Sequence, residues 1–157
     1  MIRLAPMTEQ DRRWFIEWAI QDYAQAQVEA GAWRAEDAMH LSKETFESLL
    51  PQGLNTPNQH MCAIVDEVLD RPVGYLWYGE RDREGTRYAA LYEFVILEKY
   101  RRRGYGTQAL LALEKQAKGM DLSAIVLHVF GHNAPARALY TKLGYTERNI
   151  TMVKRIE

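Results

Sequence analysis

Leu91-Tyr92-Glu93-Phe94-Val95-Ile96 and the turn that follows it, Arg101-Arg102-Arg103-Gly104-Tyr105-Gly106, form the stretch that decides the fold. The first run is mostly apolar and predicts a strand, and the apolar spacing after the turn predicts a helix from about Gly106 to Ala117. The first amide groups of a helix have no internal partner, and the helix dipole places partial positive charge there. Because glycine lets the backbone approach an anion closely, the stretch predicts a main-chain pocket for a diphosphate.

Side chains around this glycine turn also suit an anion. Lys99 and the three arginines supply cations, and Thr107 supplies a hydroxyl. The same residues are equally consistent with a solvated basic turn before an ordinary helix. The pattern is not a Walker loop, because it lacks Gly-Lys-Ser/Thr. It is not a dinucleotide motif either, because Ala109 stands in place of the third glycine.

Upstream of the turn, the hydrophobic spacing is first helical and then strand-like. Thr8 predicts an N-cap, and apolar residues spaced by three and four follow it. The predicted elements are a strand at 2–4, helices from Thr8 to near Gly31 and from about Ala35 to Leu50, and strands at 60–65, 73–78 and 88–96. Short polar turns join these three strands, so we expect an antiparallel meander.

Downstream of the turn, a strand–helix–strand crossover interrupts this meander. We expect a strand from Ser123 to Val129, a short helix that Asn133 caps and Gly144 ends, and a closing hairpin over Tyr145–Arg155. The sequence therefore predicts one domain over residues 1–157 of a mixed α/β class. Its core would be a mixed, mostly antiparallel twisted sheet of about six to seven strands, flanked by about four helices.

Composition limits the partners. Lys+Arg is 20 and Asp+Glu is 21, a formal net charge of −1 that argues against bulk nucleic-acid binding. The single cysteine, Cys62, lies in an apolar run and predicts a buried thiol rather than a disulfide. We see no secretory leader and no apolar stretch that would span a bilayer, so we expect a cytoplasmic protein without a membrane partner and without a metal site.

Through these residues, the sequence resembles bacterial members of the GNAT superfamily of acetyl-CoA-dependent N-acetyltransferases. The superfamily signature is an Arg/Gln-x-x-Gly-x-Gly/Ala turn, which Arg101–Gly106 matches fully. A second block of the superfamily, Asn followed by Ala and then Tyr and Gly-Phe/Tyr, is similar to Asn133-Ala134, Tyr140 and Gly144-Tyr145. The resemblance is tight from about Leu91 to Tyr145 and looser before it.

The resemblance implies how acetyl-CoA would bind. Main-chain groups of Phe94, Val95 and Ile96 would pair with the pantetheine arm, as an added strand would. The pyrophosphate would contact the amides of Arg102, Arg103, Gly104, Tyr105, Gly106 and Thr107, with Arg101 adding a cation nearby. Asn133 has two compatible roles, as the N-cap of its helix and as a contact of the CoA arm. An amide near Val95 would polarise the thioester carbonyl.

The resemblance also implies two catalytic side chains. Tyr140 matches the tyrosine near the CoA sulfur, where a phenol can protonate the leaving thiolate. Glu93, an isolated carboxylate in an apolar strand, is a candidate base for the ammonium of the acceptor. His128 and water remain alternative bases, and each of these side chains is also consistent with an ordinary structural role.

The implied activity is acetyl transfer to a primary amine by direct attack in a ternary complex, with an acceptor that the sequence leaves open. Four carboxylates are candidates for attracting a cationic amine, and they are also consistent with a solvated helix face: Asp22, Glu29, Glu36 and Asp37. A non-catalytic regulatory module that binds acyl-CoA is the alternative, and another acyl donor is a further one. A homodimer through the sheet edge is also expected to be possible.

Overall fold

In the computed structural model, the chain forms a five-stranded sheet with helices on both faces, and the structure describes residues 1–156. The strands are β1 (Ile2–Pro6), β2 (Gln59–Asp66), β3 (Arg71–Arg83), β4 (Thr86–Ile96) and β5 (Ile125–Leu127). The helices are α1 (Glu9–Glu29), α2 (Ala35–Leu49), α3 (Tyr105–Gly119) and α4 (Ala134–Lys142). Single-turn helices lie at Gly53–Asn55 and Glu98–Tyr100.

The strands lie across the sheet in chain order, β1-β2-β3-β4-β5. The first four pair antiparallel, and β5 pairs parallel to β4. A parallel neighbour needs a long crossover connection, and α3 supplies it. The predicted mixed sheet and the predicted four helices are therefore confirmed.

The predicted number of strands is wrong, because the sheet has five strands rather than about six to seven. The closing hairpin predicted for Tyr145–Arg155 is absent, since the described residues 145–156 belong to no strand. Their sequence suits a strand, but a strand forms only where a neighbouring segment accepts its main-chain hydrogen bonds. β5 is also shorter than the predicted Ser123–Val129, because it pairs with β4 at three positions.

The sheet separates two apolar cores. Ile64 of β2 and Leu110 of α3 are buried in the core on one face. Phe15 of α1 and Trp77 of β3 are buried in the core on the other face. Because both faces of the sheet are covered, the middle of β2 is a continuous apolar run, and residues 61–65 are all buried.

Two helices begin where their sequence signals predict. The Thr8 hydroxyl accepts a hydrogen bond from Asp11 N–H at 3.1 Å, and the Asp11 carboxylate accepts one from Thr8 N–H at 3.0 Å. At the start of α4, the side-chain oxygen of Asn133 accepts from Ala136 N–H at 3.3 Å. Both N-caps are confirmed, and each satisfies amides that the helix itself leaves free. Among the described residues, no helix is both long and apolar enough to cross a membrane.

Candidate functional site

β4 and β5 run side by side along only part of β4. Residues 89–91 of β4 pair with residues 125–127 of β5. Beyond Leu91, β4 continues to Ile96 with β3 on one side, and no strand of the described chain pairs with its other edge. A free edge of this kind can bind an extended ligand through main-chain hydrogen bonds, as it would bind a further strand.

An extra residue lies in β4 at the point where the two strands separate. Leu91 and Glu93 pair with consecutive residues of β3, so Tyr92 between them has no partner of its own. Because side chains alternate along a strand, one extra residue moves those that follow it to the opposite face. Leu91 packs in the core that contains α3, whereas Val95 packs in the core that contains α1. The bulge therefore places Glu93, two residues before Val95, on the face that α1 covers.

Pairing with β3 decides which main-chain groups of β4 face the free edge. Leu97 N–H donates to Val73 O at 2.8 Å, and hydrogen-bonded and non-hydrogen-bonded pairs alternate along an antiparallel pair. The N–H and C=O groups of Val95 therefore face β3, whereas those of Phe94 and Ile96 face the free edge. Two of the three residues predicted to bind the pantetheine arm thus present main-chain groups to it. The amide predicted near Val95 faces the edge at Phe94 rather than at Val95 itself.

The glycine turn places a row of main-chain amides at the N-terminus of α3. The first hydrogen bond of the helix runs from Gln108 N–H to Gly104 O at 3.1 Å. Among the described residues, the N–H groups of positions 102–107 have no acceptor in the protein. Arg102 and Gly104 have left-handed φ angles of 63° and 80°, an alternation that turns successive amides toward one side. The donors that the predicted diphosphate pocket requires are free.

The two glycines of the turn serve different purposes. Gly104 has the positive φ, which costs a residue with a Cβ atom free energy even where space is available. Gly106 lies close to its neighbours, since a Cβ there would be 3.4 Å from Leu139 Cδ2 and 3.7 Å from Phe94 Cζ. Phe94 lies at the free edge of β4, so its contact with Gly106 shows that the turn and this edge, the two predicted binding surfaces, adjoin.

The side chain of Arg101 contacts β4 rather than the row of amides. Its Nε donates to Ile96 O at 2.8 Å, which links the end of β4 to the start of the turn. Arg102 and Arg103 are exposed beside the amides and make no hydrogen bond to another described residue through their side chains. Of the four predicted cations, Lys99 and Arg103 lie over the ring of Tyr100, at 5.1 Å and 5.9 Å, and the guanidinium of Arg101 is engaged. Arg102 and Arg103 remain exposed and within reach of a phosphate at the turn.

A hydrogen bond to the end of β2 anchors the start of α3. Tyr105 Oη donates to Asp66 Oδ2 at 2.5 Å, and the other carboxylate oxygen of Asp66 accepts from two turn amides. These bonds, that of Tyr105 foremost, lower the pKa of Asp66. Tyr105 therefore offers its main-chain amide to the predicted pocket, while its side chain fixes the orientation of the turn.

The side chains predicted to carry the chemistry line one cavity of about 110 Å³, where β4 and β5 separate. Glu93 comes from β4, His128 from the end of β5, and Asn133 and Tyr140 from the start and the body of α4. Asp22 of α1 lines the cavity as well. The fold thus brings residues from four elements to one place, although their roles stay predictions.

Glu93 is the group in the cavity whose acidity the fold changes most. It has no hydrogen-bond partner among the described residues. Burial first, and the nearby charge of Asp22 second, raise the pKa of Glu93 to about 8. A carboxylate with a pKa near neutrality is suited to accept a proton from a substrate and release it again.

Tyr140 faces the same cavity in its protonated form. Burial first, then the charges of Tyr145 and Glu93, raise the pKa of Tyr140 to about 12. Its ring centroid lies 5.5 Å from that of Tyr145, so the two phenols pack against each other. Tyr140 therefore carries a proton at neutral pH and can donate it.

The remaining predicted residues of the cavity lie nearer to solvent. Asp22 is an exposed residue at the mouth of the cavity. Partial burial of its carboxyl group is the first cause that raises the pKa of Asp22, and the charge of Glu29 is the second. His128 is exposed, with its ring edge-on to Phe130 at 4.9 Å. Asn133 is exposed and uses its side-chain oxygen as the N-cap, which leaves its amide NH₂ group for a ligand.

Cys62 lies apart from this cavity, in β2. The residue is buried, and burial raises the pKa of its thiol to about 11. A neutral thiol is a poor nucleophile, so Cys62 is not a candidate for the chemistry. The candidates are the oxygen and nitrogen groups that line the cavity. Among the described residues, no group of three or more His, Cys, Asp or Glu side chains could hold a metal ion.

Several features of the site carry a weak sequence signal or none. Asp22 stands within the apolar stripe of α1, and this position is the sign that it faces inward. Phe130 and Ala136 also line the cavity, and no chemical motif marks them. The bulge at Tyr92 depends on pairing with β3 and has no local signature.

Comparisons with known proteins agree with this geometry. The family described as "Acetyltransferase (GNAT) family" matches residues 13–145. Two curated relatives are uncharacterized N-acetyltransferases of Bacillus subtilis strain 168. YycN is 39% identical over 99% of both chains, and YdgE is 30% identical over 98% of this chain and 97% of its own. The crystal structure of YycN superposes with a TM-score of 0.95 at 38% identity, covering 100% of this chain and 99% of that one. The chain with this glycine turn and this cavity therefore belongs to the GNAT family of acetyltransferases.

Proposed function

We propose that this protein transfers an acetyl group from acetyl-CoA to a primary amine by direct attack within a ternary complex. The observation that carries the proposal is the placement of Glu93 and Tyr140 in one cavity beside the free edge of β4. At pH 7 a minor fraction of Glu93 is ionised and can accept a proton, and this fraction grows toward pH 8, whereas Tyr140 holds its proton. Acyl transfer to an ammonium needs a base and an acid of this kind.

The extended shape and the charge of acetyl-CoA suit the two adjoining surfaces. The main-chain groups of Phe94 and the N–H group of Ile96 would pair with the amides of the pantetheine arm, since Arg101 already donates to Ile96 O. The free amides of positions 102–107 would bind the pyrophosphate, and the guanidinium groups of Arg102 and Arg103 would neutralise its charge. The thioester would then lie at the separation of β4 and β5, where the cavity is.

The acceptor would enter the cavity past Asp22 as an ammonium ion. A cation beside Asp22 and Glu93 offsets the charge of Asp22, which, after burial, raises the pKa of Glu93, and so favours ionised Glu93. Glu93 would then take a proton from the nitrogen, directly or through one water. The resulting neutral amine carries the lone pair that attack requires.

Bond exchange would follow at the thioester carbon. The amine nitrogen forms the C–N bond, the C–S bond breaks, and the electron pair of that bond leaves on sulfur. Phe94 N–H is the donor for the carbonyl oxygen, because it faces the free edge and Phe94 lines the cavity, whereas Ile96 does not. Tyr140 gives its proton to sulfur. The nitrogen, positively charged after the attack, loses a second proton, which returns to Tyr140 through solvent, and Glu93 releases to solvent the proton that it took from the ammonium.

Asp22 and Glu29 favour an acceptor that carries positive charge beyond the reacting nitrogen. Both lie on α1, and the charge of Glu29 contributes, after burial, to raising the pKa of Asp22. Glu29 also lies 3.1 Å from the ring nitrogen of His132, in the loop that leads from the cavity. Because Asp22 lines the cavity with Glu93, and Glu29 lies further along the same helix, we expect diamines and peptide lysines to react better than neutral-tailed amines of similar size.

Release of free CoA thiol tests the proposal. The protein is incubated with acetyl-CoA and a panel of monoamines, diamines, amino sugars and peptides with free N-termini or lysines, and acetylated products are identified by mass spectrometry. We expect thiol release that depends on an amine. Tight CoA binding without turnover on any amine would contradict catalysis and favour a regulatory module that binds acyl-CoA. Mass analysis with succinyl-CoA as competitor reports the acyl preference.

A further inference from the structure

Phe130 forms part of the cavity wall on the side where the acceptor would enter. It lines the cavity together with Asp22, the carboxylate at the mouth. Its ring centroid lies 6.2 Å from that of Tyr23, the residue that follows Asp22 on α1. An amine that passes Asp22 on its way to Glu93 therefore meets the ring of Phe130.

The other aromatic side chains of the cavity face other parts of the fold. Tyr92 packs on Trp77 of β3, with ring centroids 4.7 Å apart. Phe94 faces the glycine turn, where coenzyme A would bind, and Tyr140 is the proposed acid. Among the described residues that line the cavity, Phe130 is thus the aromatic residue that packs on a ring of α1.

Neighbouring rings hold Phe130 from several sides. His128 lies edge-on to it at 4.9 Å, and His132 stacks on it at 5.5 Å. The main chain is tied as well, because Asn133 N–H donates to Phe130 O at 2.9 Å. A side chain that is packed in this way cannot move aside for a ligand without disturbing its neighbours.

Tyr23, on which Phe130 packs, is itself anchored between α1 and α2. Its hydroxyl accepts a hydrogen bond from Gln27 Nε2 at 2.8 Å. Its ring lies edge-on to Trp33 at 5.5 Å and to the buried Phe46 at 5.9 Å. The wall that Phe130 forms is therefore supported by the core.

The cavity offers little room beside this wall. A dry cavity of about 150 Å³ holds benzene, which has six heavy atoms. By that measure, the 110 Å³ of this cavity hold about four or five heavy atoms. In the proposed reaction, the carbonyl carbon, the oxygen and the methyl group of the acetyl group take three of these places. What remains is room for the amine nitrogen and one carbon.

We propose that Phe130 restricts the acceptor to primary amines whose nitrogen is bonded to an unbranched CH₂ carbon. This inference rests on the proposed function and names its substrate class. A lysine side chain and a linear diamine end in such a carbon. A peptide N-terminus and an amino sugar do not, because their nitrogen is bonded to a carbon that carries two further carbon substituents.

Two physical costs exclude the branched amines. The second substituent overlaps a ring that cannot retreat, and overpacking of this kind is unfavourable. In a peptide or a sugar, the branch also carries a carbonyl or hydroxyl group, and the ring of Phe130 offers no hydrogen bond to it. Phe130 takes no part in proton transfer, so its role is to select the amine.

A competition within one molecule tests the selection. In 1,4-diaminopentane one nitrogen is bonded to a CH₂ group and the other to a carbon that bears a methyl group. The ratio of the two monoacetylated products is measured by NMR and divided by the ratio that a free thioester gives without protein. We expect the wild type to favour the unbranched end at least about 20-fold, and Phe130→Ala to favour it less than about threefold. Because both amines belong to one molecule, a general loss of rate leaves the ratio unchanged.

Tyr92→Ala is the matched control, since it enlarges the same cavity from β4. It should keep the preference of the wild type. Phe130→Leu removes less of the ring and should lower the preference by a smaller step, so it replaces Phe130→Ala if that variant does not fold. A wild type without preference, a folded Phe130 variant with the full preference, or an equal loss in Tyr92→Ala would each overturn the proposal.

Binding without turnover separates this inference from the proposed function. With free CoA bound no acetyl group is present, and the protein is titrated calorimetrically with 1,4-diaminobutane and with 2,5-diaminohexane, in which both nitrogens are bonded to branched carbons. We expect the wild type to bind the linear diamine at least about 10-fold more tightly, and Phe130→Ala to bind the two within about threefold. If this preference is found but no amine is acetylated, the proposed function fails and the selection stands. If amines of both kinds are acetylated alike, the function stands and the selection fails.

Discussion

The glycine turn and the cavity adjoin, but the turn presents main-chain groups to a ligand and the cavity presents side chains. The turn offers main-chain amides, and the side chain of Tyr105 within it only anchors the backbone to Asp66. The cavity offers side chains from α1, β4, β5 and α4, which the fold must bring together. Binding by the backbone requires a local shape, whereas the chemistry requires the whole fold.

This difference predicts two kinds of defect. A substitution that changes the shape of the turn should weaken CoA binding and leave the chemical step nearly unchanged. A substitution of a side chain in the cavity should slow the chemical step and leave CoA affinity nearly unchanged. Measuring kcat and the CoA dissociation constant for each variant tests the division directly.

The largest effect is expected for Glu93→Gln. An ammonium has no lone pair, so without the base only the small neutral fraction of the amine reacts. We expect kcat/KM for the amine to fall about 10³-fold at pH 7, with CoA affinity changed less than about threefold. In the wild type, kcat/KM should rise with pH and level off above about pH 8, the pKa of Glu93, whereas kcat/KM of the variant should keep rising past pH 8 with the neutral fraction of the amine.

His128→Gln is the matched control for this loss. His128 lines the same cavity, so a general disturbance of the cavity would slow both variants. We expect His128→Gln to keep the pH dependence of the wild type and to lose less than about tenfold in rate. If instead His128→Gln removed the levelling of kcat/KM and Glu93→Gln kept it, the base would be His128.

The same carboxyl group should make stability depend on pH. Its pKa is about 8 when folded, above the ordinary value of 4.5, so the folded state keeps a proton that the unfolded state releases. Its contribution to stability is therefore complete below about pH 4.5 and is lost as pH rises through 8. Relative to wild type, the free energy of unfolding of Glu93→Gln should rise by about 2 kcal/mol between pH 5 and pH 9. This is less than the full linkage value, because water that enters the cavity screens the ionised carboxylate. Melting curves at both pH values measure this, and an equal difference at each would contradict it.

A smaller loss of rate is expected for Tyr140→Phe. A thiolate is a fair leaving group even without a proton, so the acid contributes less than the base. We expect kcat to fall about 10²-fold with CoA affinity changed less than about threefold. The control is Tyr145→Phe, which keeps the packing partner but has no place in the proton path. Equal losses in the two variants would show that packing, rather than the proton of Tyr140, is what matters.

The sequence predicts the turn well because all of its determinants are local. Two glycines, a strand before them and a helix after them suffice to place free amides at a helix N-terminus, and the structure has them there. The resemblance to the GNAT superfamily predicted roles for Glu93, Asn133 and Tyr140, and His128 was predicted as an alternative base. The fold brings all four residues to one cavity, although their roles stay predictions. The family assignment is confirmed.

Other features depend on pairing between distant segments, which a single sequence does not display. The bulge at Tyr92 turns Glu93 toward α1 and exists only in relation to β3. Arg101 has the same charge as its two neighbours, yet a carbonyl at the end of β4 engages it alone. The hairpin predicted for 145–155 failed for the same reason, since a strand-like composition gives no partner strand.

At the turn, Gly104→Ala and Gly106→Ala should have unequal effects on CoA affinity. Gly104 has a φ of 80°, so a Cβ atom there strains the backbone by about 1–2 kcal/mol and shifts the amides. A Cβ at Gly106 would make only ordinary contacts, at 3.4 Å and 3.7 Å. We expect the CoA dissociation constant to rise about tenfold for Gly104→Ala and less than about threefold for Gly106→Ala. Calorimetric titration measures both, and equal effects would mean that the left-handed conformation does not shape the pocket.

The smallest effect is expected at the mouth of the cavity, for Asp22→Asn. Asp22 remains exposed, so its attraction for a cation is screened by water and salt. We expect the KM of a diamine to rise about fivefold at low salt, with a smaller rise for a monoamine and little change in kcat. Glu17→Gln is the matched control, since Glu17 is an exposed carboxylate of the same helix away from the cavity. If both variants raised KM alike, the field of the whole helix would attract the amine, and if neither did, the acceptor would be recognised by shape alone. A change in kcat would instead place Asp22 in the proton path with Glu93, because the charge of Asp22 helps to set the pKa of Glu93.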